Sequence, residues 1–322
     1  KLLKPGGITT LIVSDAYCHS KYAQKSQTWF LEHSRVQRLD FLSKIQIFDA
    51  AVRNITYLFQ KAAGQDNQPQ RRLHDPEFGA VTLLPTEAQR NLTYRAFFPE
   101  DSREQHFSGS TAPLEEICYI SVGMVVHADE KVAQGAFELS DLVSDREDTT
   151  HPKPFVEGKH LARWLPIMHK WLEWGTSRAP TLFRRPTFPA LYGAGEKILI
   201  LRIGGKEVRA CYDNAQLLCN HTSIVCVPWQ SLVGVRNNSL RKAARYRNED
   251  PRSDLPRRED LEQFSGRFAV KYLLAMMNSS PAHDFLQAVR RSNTDLYPGD
   301  WKKLPIPDVP AEQQAPIVKL VD

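Results

Sequence analysis

The pattern of apolar and polar positions in residues 1–61 predicts an α/β arrangement. Residues 8–13 form a β-branched run that is typical of a strand buried in a parallel sheet. Helical spacing over residues 21–33 predicts a helix, and residues 36–42 predict a second strand. Apolar and polar residues alternate in Asn54–Gln60, which predicts an edge strand. This part therefore predicts the closing strand–helix–strand–strand portion of an α/β sheet, where loops at the carboxyl ends of strands hold ligands.

The pattern changes beyond this sheet. Residues 62–72 are rich in Gln, Asn and Gly and carry no apolar periodicity, which predicts a linker or an exposed loop. A further boundary is predicted at residues 100–113. We therefore divide the chain into residues 1–61, a linker and connecting segment over residues 62–113, and an α+β domain over residues 114–322.

Two regions of the α+β domain have clear patterns. Strand-like runs at residues 197–203 and 206–212 flank Gly204-Gly205. Glycine adopts positive φ at little cost, so this pair predicts a tight hairpin turn. Residues 261–278 predict one helix, and residues 281–291 predict the helix that follows it.

Charge is informative through its distribution along the chain. The formal net charge of +5 over 322 residues does not by itself identify a nucleic-acid-binding protein. However, residues 178–209 contain seven Lys or Arg and two Glu, and residues 236–258 contain eight Lys or Arg and three acidic residues. Such runs either form a solvated charged face or contact phosphates.

Other residue types limit the class of protein. None of the five cysteines lies in a Cys-x-x-Cys pair or has histidines at zinc-finger spacing. We expect buried, reduced thiols in a cytoplasmic protein and no metal site. No apolar run approaches the length that spans a bilayer, so no membrane contact is expected. The spacing of Trp164, Trp171 and Trp174 is typical of the core side of a helix.

Both ends of the sequence predict a piece of a longer protein. The chain starts without methionine, and Pro5-Gly6-Gly7 is typical of the end of a helix whose earlier residues are absent. After Pro310 an apolar helical repeat has only begun when the chain stops at Asp322, which predicts a helix that continues.

Several short motifs follow one another in residues 1–61. Lys4-Pro5-Gly6-Gly7 leads into the first strand, Trp29-Phe30-Leu31 lies in the predicted helix, and Ile47-Phe48 precedes a last strand that ends in Phe59-Gln60-Lys61. This series resembles the late motifs of the TaqI-type adenine-specific DNA methyltransferases, a group that includes fused restriction-modification enzymes of bacteria.

The resemblance continues in the same order through residues 155–164, 197–212, 273–280 and 301–307. The first of these segments contains Gly158-Lys159-His160 and resembles the start of that family's target-recognition domain. The last contains Leu304-Pro305-Ile306-Pro307 and resembles the segment that closes the domain. The resemblance covers residues 1–61 and about 150–322.

The resemblance implies an α/β remnant of a Rossmann-like methyltransferase sheet, followed by an α+β target-recognition domain. It implies that the parent protein transfers a methyl group from S-adenosylmethionine to the amino nitrogen of adenine in a specific double-stranded DNA sequence, within a restriction-modification system. The adenine must leave the base stack to react. Phe48 lies where the resembling enzymes place an aromatic ring that stacks on the flipped base.

Two parts of the family pattern have no counterpart in this sequence. The Asn-Pro-Pro-aromatic motif is absent, and the only Gly-x-Gly, Gly193-Ala194-Gly195, precedes a predicted strand instead of following one. We therefore expect the chain to be inactive alone, to bind no cofactor itself, and to depend on a missing N-terminal catalytic portion of the same polypeptide.

Sequence recognition would fall to basic residues of the second domain. Arg and Lys donate hydrogen bonds to guanine edges in the major groove and also to phosphates. The residues that we predict to face DNA are Lys159, Arg184, Arg185, Arg202 and Arg209.

Three alternatives remain open from the sequence. Phe48 is a core residue in the simplest alternative. The closing Leu-Pro-Ile-Pro and Gln-Gln pattern also resembles the non-catalytic specificity subunits of multi-subunit restriction systems, which need no methyltransferase sheet. An unrelated α/β enzyme with a basic appendage would be favoured if Phe48 were buried away from any cleft.

Overall fold

The computed structural model describes residues 3–19, 23–42, 44–49, 52–62, 67–84, 86, 88–89, 109–126, 137–179, 188–203, 207–243, 256–289 and 295–322. These residues fall into two units, unit 1 within residues 1–104 and unit 2 within residues 105–290 and 295–322. The predicted hairpin turn Gly204-Gly205 and the predicted DNA-facing residues Arg184 and Arg185 lie outside the described residues.

Unit 1 combines one sheet with short helices. Its described elements in chain order are β1 (Ile8–Ser14), α1 (Ala16–His19), α2 (Gln24–His33), β2 (Arg35–Phe41), β3 (Asn54–Gln60), β4 (Gln70–His74) and β5 (Val81–Leu84). The strand order is β1-β3-β2-β4-β5. β3 runs antiparallel to β1 and β2, β4 runs parallel to β2, and β5 runs antiparallel to β4.

The core of unit 1 lies between α2 and the sheet. Leu31 of α2 is buried in one cluster with Val36 and Ile55 of the strands. The ring of Phe30 meets those of Tyr57 and Phe59 edge-on, with centroids 5.1 and 4.4 Å away. Edge-to-face pairs add about 0.5–1.5 kcal/mol each beyond the burial of their area. The aromatic residues of β3 therefore fix how α2 sits on the sheet.

The side chain of Gln89 forms hydrogen bonds that stabilise the connection from α2 to β2. Its amide nitrogen donates to the backbone oxygens of Leu31 and Ser34, and its amide oxygen accepts from the backbone nitrogen of Val36 at 2.9 Å. Gln89 is 2% exposed, so these buried backbone groups would otherwise lack partners. No sequence pattern predicts this contact, because the partners lie more than fifty residues apart.

Two predictions for the strands of unit 1 were wrong. β1 lies at an edge of the described sheet in antiparallel pairing, and Ile8, Leu11 and Ile12 are 55%, 47% and 44% exposed. β3, predicted as the edge, lies between β1 and β2. β-branched residues suit any pleated surface, so their run does not distinguish a central strand from an edge strand.

The structure also corrects the predicted linker over residues 62–113, which contains strands. It supplies β4 and β5 to the sheet of unit 1 and β6 (Thr111–Pro113) to unit 2. Its polar residues suggested a linker, but Arg71 is 2% exposed, with its guanidinium 5.7 Å from the centre of the Phe41 ring. Buried arginine packing of this kind leaves no apolar periodicity to detect.

Unit 2 carries the remaining elements. Its described strands after β6 are β7 (Cys118–Val122), β8 (Val143–Ser144), β9 (Lys153–Val156), β10 (Lys170–Leu172), β11 (Lys197–Leu201), β12 (Ala210–Asp213), β13 (Leu218–Cys219), β14 (Ser223–Pro228) and β15 (Pro305–Pro307). Its described helices are α3 (Leu114–Ile117), α4 (Pro189–Gly193), α5 (Asn238–Ala243), α6 (Arg258–Ser265), α7 (Val270–Met277), α8 (Ser280–Val289), α9 (Pro298–Trp301) and α10 (Ala311–Val321).

An antiparallel sheet with the order β12-β11-β14-β7 separates two cores in unit 2. Leu199 and Val225 belong to the core that also holds the second sheet, β13-β9-β10-β8. Ile198 and Ile200 belong to the other core, with Leu273 of α7. Every residue of β11 is buried, which explains its continuous apolar run.

The outer edge of β12 is closed by Asn278, directly after α7. The backbone nitrogen of Ala210 donates to Asn278 Oδ1 at 3.1 Å, and Asn278 Nδ2 donates to the backbone oxygen of Ala210 at 2.8 Å. Trp164 continues this closure, because its nitrogen donates to the Ala210 oxygen at 3.0 Å and its oxygen accepts from the Tyr212 nitrogen at 2.8 Å. β12 therefore ends the sheet without leaving these backbone groups unpaired.

A buried ion pair lies at the start of the β11–β12 hairpin. Lys197 is paired with Asp213, directly opposite in the register, and both side chains are fully buried. Lys197 also donates to the oxygen of Tyr192 at 3.0 Å, and Asp213 accepts from the nitrogens of Ala215 at 2.8 Å and Leu217 at 3.0 Å. Each charge therefore has further partners, as a buried pair requires.

The helix predicted over residues 261–278 is two helices, α6 and α7. The amide of Gln314 in α10 accepts from the nitrogen of Ala269 at 3.0 Å and donates to the oxygen of Arg267 at 2.8 Å. These bonds satisfy backbone groups that a continuous helix would have used internally. The break thus depends on a residue about fifty positions away.

The tryptophan prediction was also wrong. Trp171 lies in β10, whereas Trp164 and Trp174 lie outside the helices and strands. By contrast, β11 and β12 form the predicted antiparallel pair, with Ile198 opposite Tyr212. The five cysteines are buried and free, as predicted.

Replacing Asn278 by alanine should destabilise unit 2. Asn278→Ala removes both partners that its side chain gives to Ala210, so the free energy of unfolding should fall by about 1–3 kcal/mol. Urea denaturation followed by tryptophan fluorescence measures the change. Asn214→Ala, at an exposed position, is the control and should change stability by less than about 0.5 kcal/mol. Equal stability of the two variants would contradict the assignment.

Removing one partner of the buried ion pair should have a larger effect. Lys197→Met leaves Asp213 charged and buried, and we expect a loss of about 3–5 kcal/mol in the free energy of unfolding. The double variant Lys197→Met/Asp213→Asn should recover part of this loss, because an amide oxygen still accepts the backbone bonds. A double variant no more stable than the single one would show that the charge is not the cause.

Candidate nucleic-acid interface

Three strands of unit 1 end on the same side of its sheet. β1 and β2 both run antiparallel to β3, and β4 runs parallel to β2, so these three strands share one direction. Asp15 follows β1, and Phe48 lies in the connection from β2 to β3. The structure thus places both residues beyond the carboxyl ends of strands, where open α/β sheets bind ligands.

Phe48 is not a core residue. It is 48% exposed, and its neighbours Ile47 and Val52 are 36% and 39% exposed. Leu42 and Ile45 are buried members of this connection, at 5% and 8% exposure, and the nitrogen of Ile45 donates to the oxygen of Leu42 at 3.0 Å. The connection is therefore anchored at Ile45 and leaves the ring of Phe48 accessible, while its stacking on a base stays a prediction.

Two carboxylates of unit 1 have opposite environments. Burial raises the pKa of Asp15 to about 6, against the opposing charge of Arg53. Asp40 accepts from Arg72 at 2.6 Å, from Arg38 at 2.8 Å and from the Thr56 hydroxyl at 3.4 Å, and it is also hydrogen-bonded to His74 at 2.9 Å. Burial acts to raise the pKa of Asp40, but these bonds and charges hold it below its usual value. The basic residues around Asp40 therefore serve the fold of unit 1.

Most described members of the two basic runs in unit 2 are paired within the protein. Arg178 pairs with Glu173, Lys197 with Asp213, Arg202 with Asp295, Arg209 with Glu207, Arg257 with Asp260 and Arg258 with Glu262. Lys197 is fully buried and Arg202 and Arg258 are largely buried, so these members form internal ion pairs and not the solvated charged face of the simpler interpretation.

Three described members of the second basic run, residues 236–258, have different surroundings from these paired cations. Arg236, just before α5, and Arg241 and Lys242, within α5, are exposed, and none has an ion pair among the residues that the structure describes. α5 is anchored by Leu240, which is fully buried. Within the described residues, these cations therefore form an exposed basic surface on α5 and just before it. We call Arg236, Arg241 and Lys242 the α5 surface.

The predicted DNA-facing residues have different surroundings. Lys159 is 67% exposed, and its ammonium lies 2.8 Å from Glu157. Arg202 is largely buried and donates to the oxygen of His221 at 2.9 Å, with its guanidinium 5.2 Å from the centre of the Tyr297 ring. Arg209 pairs with Glu207. The contacts of Lys159, Arg202 and Arg209 with DNA stay predictions. The residues of the α5 surface were not among those predicted from the sequence to face DNA.

Lys159 stands on a tightly packed turn. A Cβ at Gly158 would lie 2.7 Å from the oxygen of Thr222, so no larger residue fits there. The nitrogen of Gly158 donates to Thr222 Oγ1 at 2.8 Å. The Gly158-Lys159-His160 motif thus reflects a close backbone approach that projects Lys159 from a fixed position.

Residues 161–168, which we call the tip loop, follow this turn. Trp164 has a φ of 83°, in the left-handed region that side chains other than glycine rarely adopt, and it is held there by its two backbone bonds to β12. The nitrogen of Ile167 donates to the oxygen of His160 at 2.9 Å, and Leu161 bridges to Pro166. The tip loop is therefore fixed at both ends and at its centre.

No group of three or more His, Cys, Asp or Glu residues that could hold a metal ion is present in the described part of the chain. Across the same residues, no helix has both the length and the apolar character that crossing a membrane requires.

No family model matches the chain, and neither does any curated protein. Solved structures similar to it are restriction-modification proteins. The DNA complex of the Type IIL restriction-modification enzyme MmeI matches with a TM-score of 0.48 and 8% identity, over 98% of this chain and 41% of that one. The DrdV–DNA complex matches with a TM-score of 0.43 and 11% identity, over 93% and 37%.

A third similar structure is the HsdS subunit from Thermoanaerobacter tengcongensis. It matches with a TM-score of 0.34 and 15% identity, over 66% of this chain and 36% of that one. The chain thus spans about two fifths or less of the length of these three proteins. With TM-scores below 0.5, the similarities establish neither a family nor an activity.

The raised pKa of Asp15 predicts a pH-dependent stability. Folding favours protonated Asp15, so its contribution is complete below its unfolded pKa of 3.8 and is lost as pH rises through about 6. At 1.36 kcal/mol per pKa unit, this shift corresponds to about 3 kcal/mol. Asp15→Asn should therefore gain stability over the original chain, by up to about that amount, between about pH 4 and pH 7.5.

Urea denaturation followed by circular dichroism at several pH values measures this difference. Asp49→Asn, at an exposed position, is the matched control and should follow the pH profile of the unchanged chain. If Asp15→Asn also follows that profile, Asp15 does not carry the raised pKa.

Proposed function

We propose that this chain recognises a specific double-stranded DNA sequence for an adenine-specific DNA methyltransferase of a restriction-modification system. In this proposal unit 2 binds the duplex, and unit 1 supplies one wall of the pocket for the flipped base. The parent protein would be cytoplasmic and would use S-adenosylmethionine. The single observation that carries DNA binding is the α5 surface, whose cations are exposed and lack acidic partners in the described structure.

The placement of Phe48 supports the methyltransferase part of the proposal. A base that leaves the duplex loses its stacking partners, and an accessible aromatic ring restores one of them. Phe48 is about half exposed, beyond the carboxyl ends of strands in an α/β sheet. A specificity subunit without a catalytic part needs no such sheet, so unit 1 favours the methyltransferase over that alternative.

The described residues do not fit S-adenosylmethionine. A cofactor cradle of the expected type is a glycine-rich loop after a strand, whereas Gly193-Ala194-Gly195 begins at the last residue of the helix α4 and precedes β11. We therefore assign cofactor binding and methyl transfer to other residues of a larger protein, and to this chain the reading of DNA and the stacking of the base.

The α5 surface should set the salt dependence of DNA binding. Each phosphate contact contributes about 0.9 to the slope of log affinity against log salt, so Arg241→Ala/Lys242→Ala should reduce the slope by about 2. Fluorescence anisotropy with a labelled duplex at several salt concentrations measures this slope. Lys319→Ala, an exposed lysine of α10, should leave it unchanged. A slope unaffected by the double variant would exclude α5 from the interface.

Phe48 should contribute to binding of an extruded adenine. The target can be found by selecting bound duplexes from a random pool, and a mismatch at its adenine then makes extrusion less costly. Phe48→Ala should weaken binding to the mismatched duplex by about 1–3 kcal/mol, the usual value of one stacked base. Phe78→Ala, a comparably exposed phenylalanine of unit 1, is the control. Equal losses in both variants would contradict the assigned role of Phe48.

A further inference from the structure

The tip loop exposes an apolar cluster that the proposed function does not use. Trp164, Leu165, Ile167 and Met168 are 41%, 62%, 69% and 48% exposed. Single exposed apolar residues are common, but four exposed within five positions of one loop are a concentration that points to a contact site.

The tip loop is held in one conformation. Trp164 keeps its left-handed backbone because Ala210 and Tyr212 of β12 bind both its nitrogen and its oxygen. Asn278 holds Ala210 from the same edge, and Arg209 Nη1 donates to the oxygen of Leu161 at 3.4 Å. Strain that the surrounding structure maintains at an exposed loop is a reason to look for a function there.

The charge around the tip loop indicates which kind of molecule would bind there. No Asp or Glu occurs between Gly158 and Lys170, whereas Lys159, Arg163 and Lys170 lie within this segment. Lys159 and Lys170 are paired with Glu157 and Asp145, which lie outside it, at 2.8 and 3.1 Å. Arg163 is exposed, and among the described residues it has no ion pair. An apolar tip flanked by cations complements a duplex, which presents stacked bases between two rows of phosphates.

We propose that the tip loop is a wedge that inserts Leu165 or Ile167 between neighbouring base pairs of the bound duplex. Arg163 binds a phosphate beside the opened step, and Lys159 binds one on the other side by exchanging its contact with Glu157 for the phosphate. Proteins that insert apolar side chains in this way partly unstack the bases and kink the duplex by about 20–90°. This inference rests on the proposed DNA binding and adds its mechanism, a bend made by one rigid loop.

One experiment distinguishes insertion of the tip loop between base pairs from simple phosphate binding. Duplexes carrying the selected target, with 2-aminopurine at successive positions, report local unstacking as a rise in fluorescence. Dyes at the two ends report bending by energy transfer. Leu165→Ser/Ile167→Ser should abolish the fluorescence rise and the bend and weaken binding about tenfold or more, while the salt slope stays unchanged, because no phosphate contact is lost.

Two variants serve as controls. Leu320→Ser replaces an 87% exposed leucine of α10 and should leave unstacking, bending and affinity unchanged. Arg241→Ala/Lys242→Ala should lower the salt slope and keep the bend. The replaced tip-loop side chains are exposed, so thermal unfolding of the tip-loop variant should match that of the unchanged chain.

The possible outcomes test the wedge and the proposed DNA binding separately. Bending and unstacking that persist in Leu165→Ser/Ile167→Ser would overturn the wedge and leave the proposed DNA binding intact. Unchanged DNA binding with a loss of self-association in sedimentation would assign the tip loop to a protein contact and also overturn the wedge. If the unchanged chain bound no duplex at any salt concentration, the proposed function would fail and the wedge with it.

Discussion

The closure of the outer edge of β12 is the constraint on which unit 2 depends. A sheet edge presents backbone donors and acceptors that must find partners or stay in water. Asn278 and Trp164 meet at Ala210 and supply those partners, one with a side chain and the other with its backbone. The same contacts connect α7 to the sheet and hold the tip loop in its left-handed conformation. Stability and the presentation of a candidate DNA contact thus share one set of hydrogen bonds.

Ion pairing decides which basic residues are available to a partner. The sequence places Arg and Lys in two dense runs, but carboxylates pair with many of them, some from nearby positions, as Glu207 does for Arg209, and Asp295 for Arg202 from far along the chain. The number of basic residues in a run does not show which of them are paired, so predictions based on runs selected Arg202 and Arg209, which the protein itself engages. The α5 surface emerges because its cations have no such partner among the described residues, and because the buried Leu240 fixes the helix that carries them.

Local pattern predicted the elements better than their arrangement. The order strand, helix, strand, strand in residues 1–61 was correct, as was the pairing of β11 with β12. The position of β3 between β1 and β2 was not predictable, because alternation records which faces of a strand are buried and not which neighbours it has. The break between α6 and α7 was missed for a related reason, since Gln314 satisfies it from a distant helix. Trp164, Trp171 and Trp174 were wrongly assigned to a helix because tryptophans at helical spacing also fit a strand and its flanking loops.

The central claim is that unit 2 meets duplex DNA through the tip loop and the α5 surface. Hydrogen–deuterium exchange of the chain, with and without an excess of selected duplex, tests it most directly, since a bound surface loses exchange that the free protein allows. The account predicts new protection in peptides covering residues 158–170 and 236–243, with little change in α10. Protection confined to other parts of unit 2, or none at saturating duplex, would contradict it.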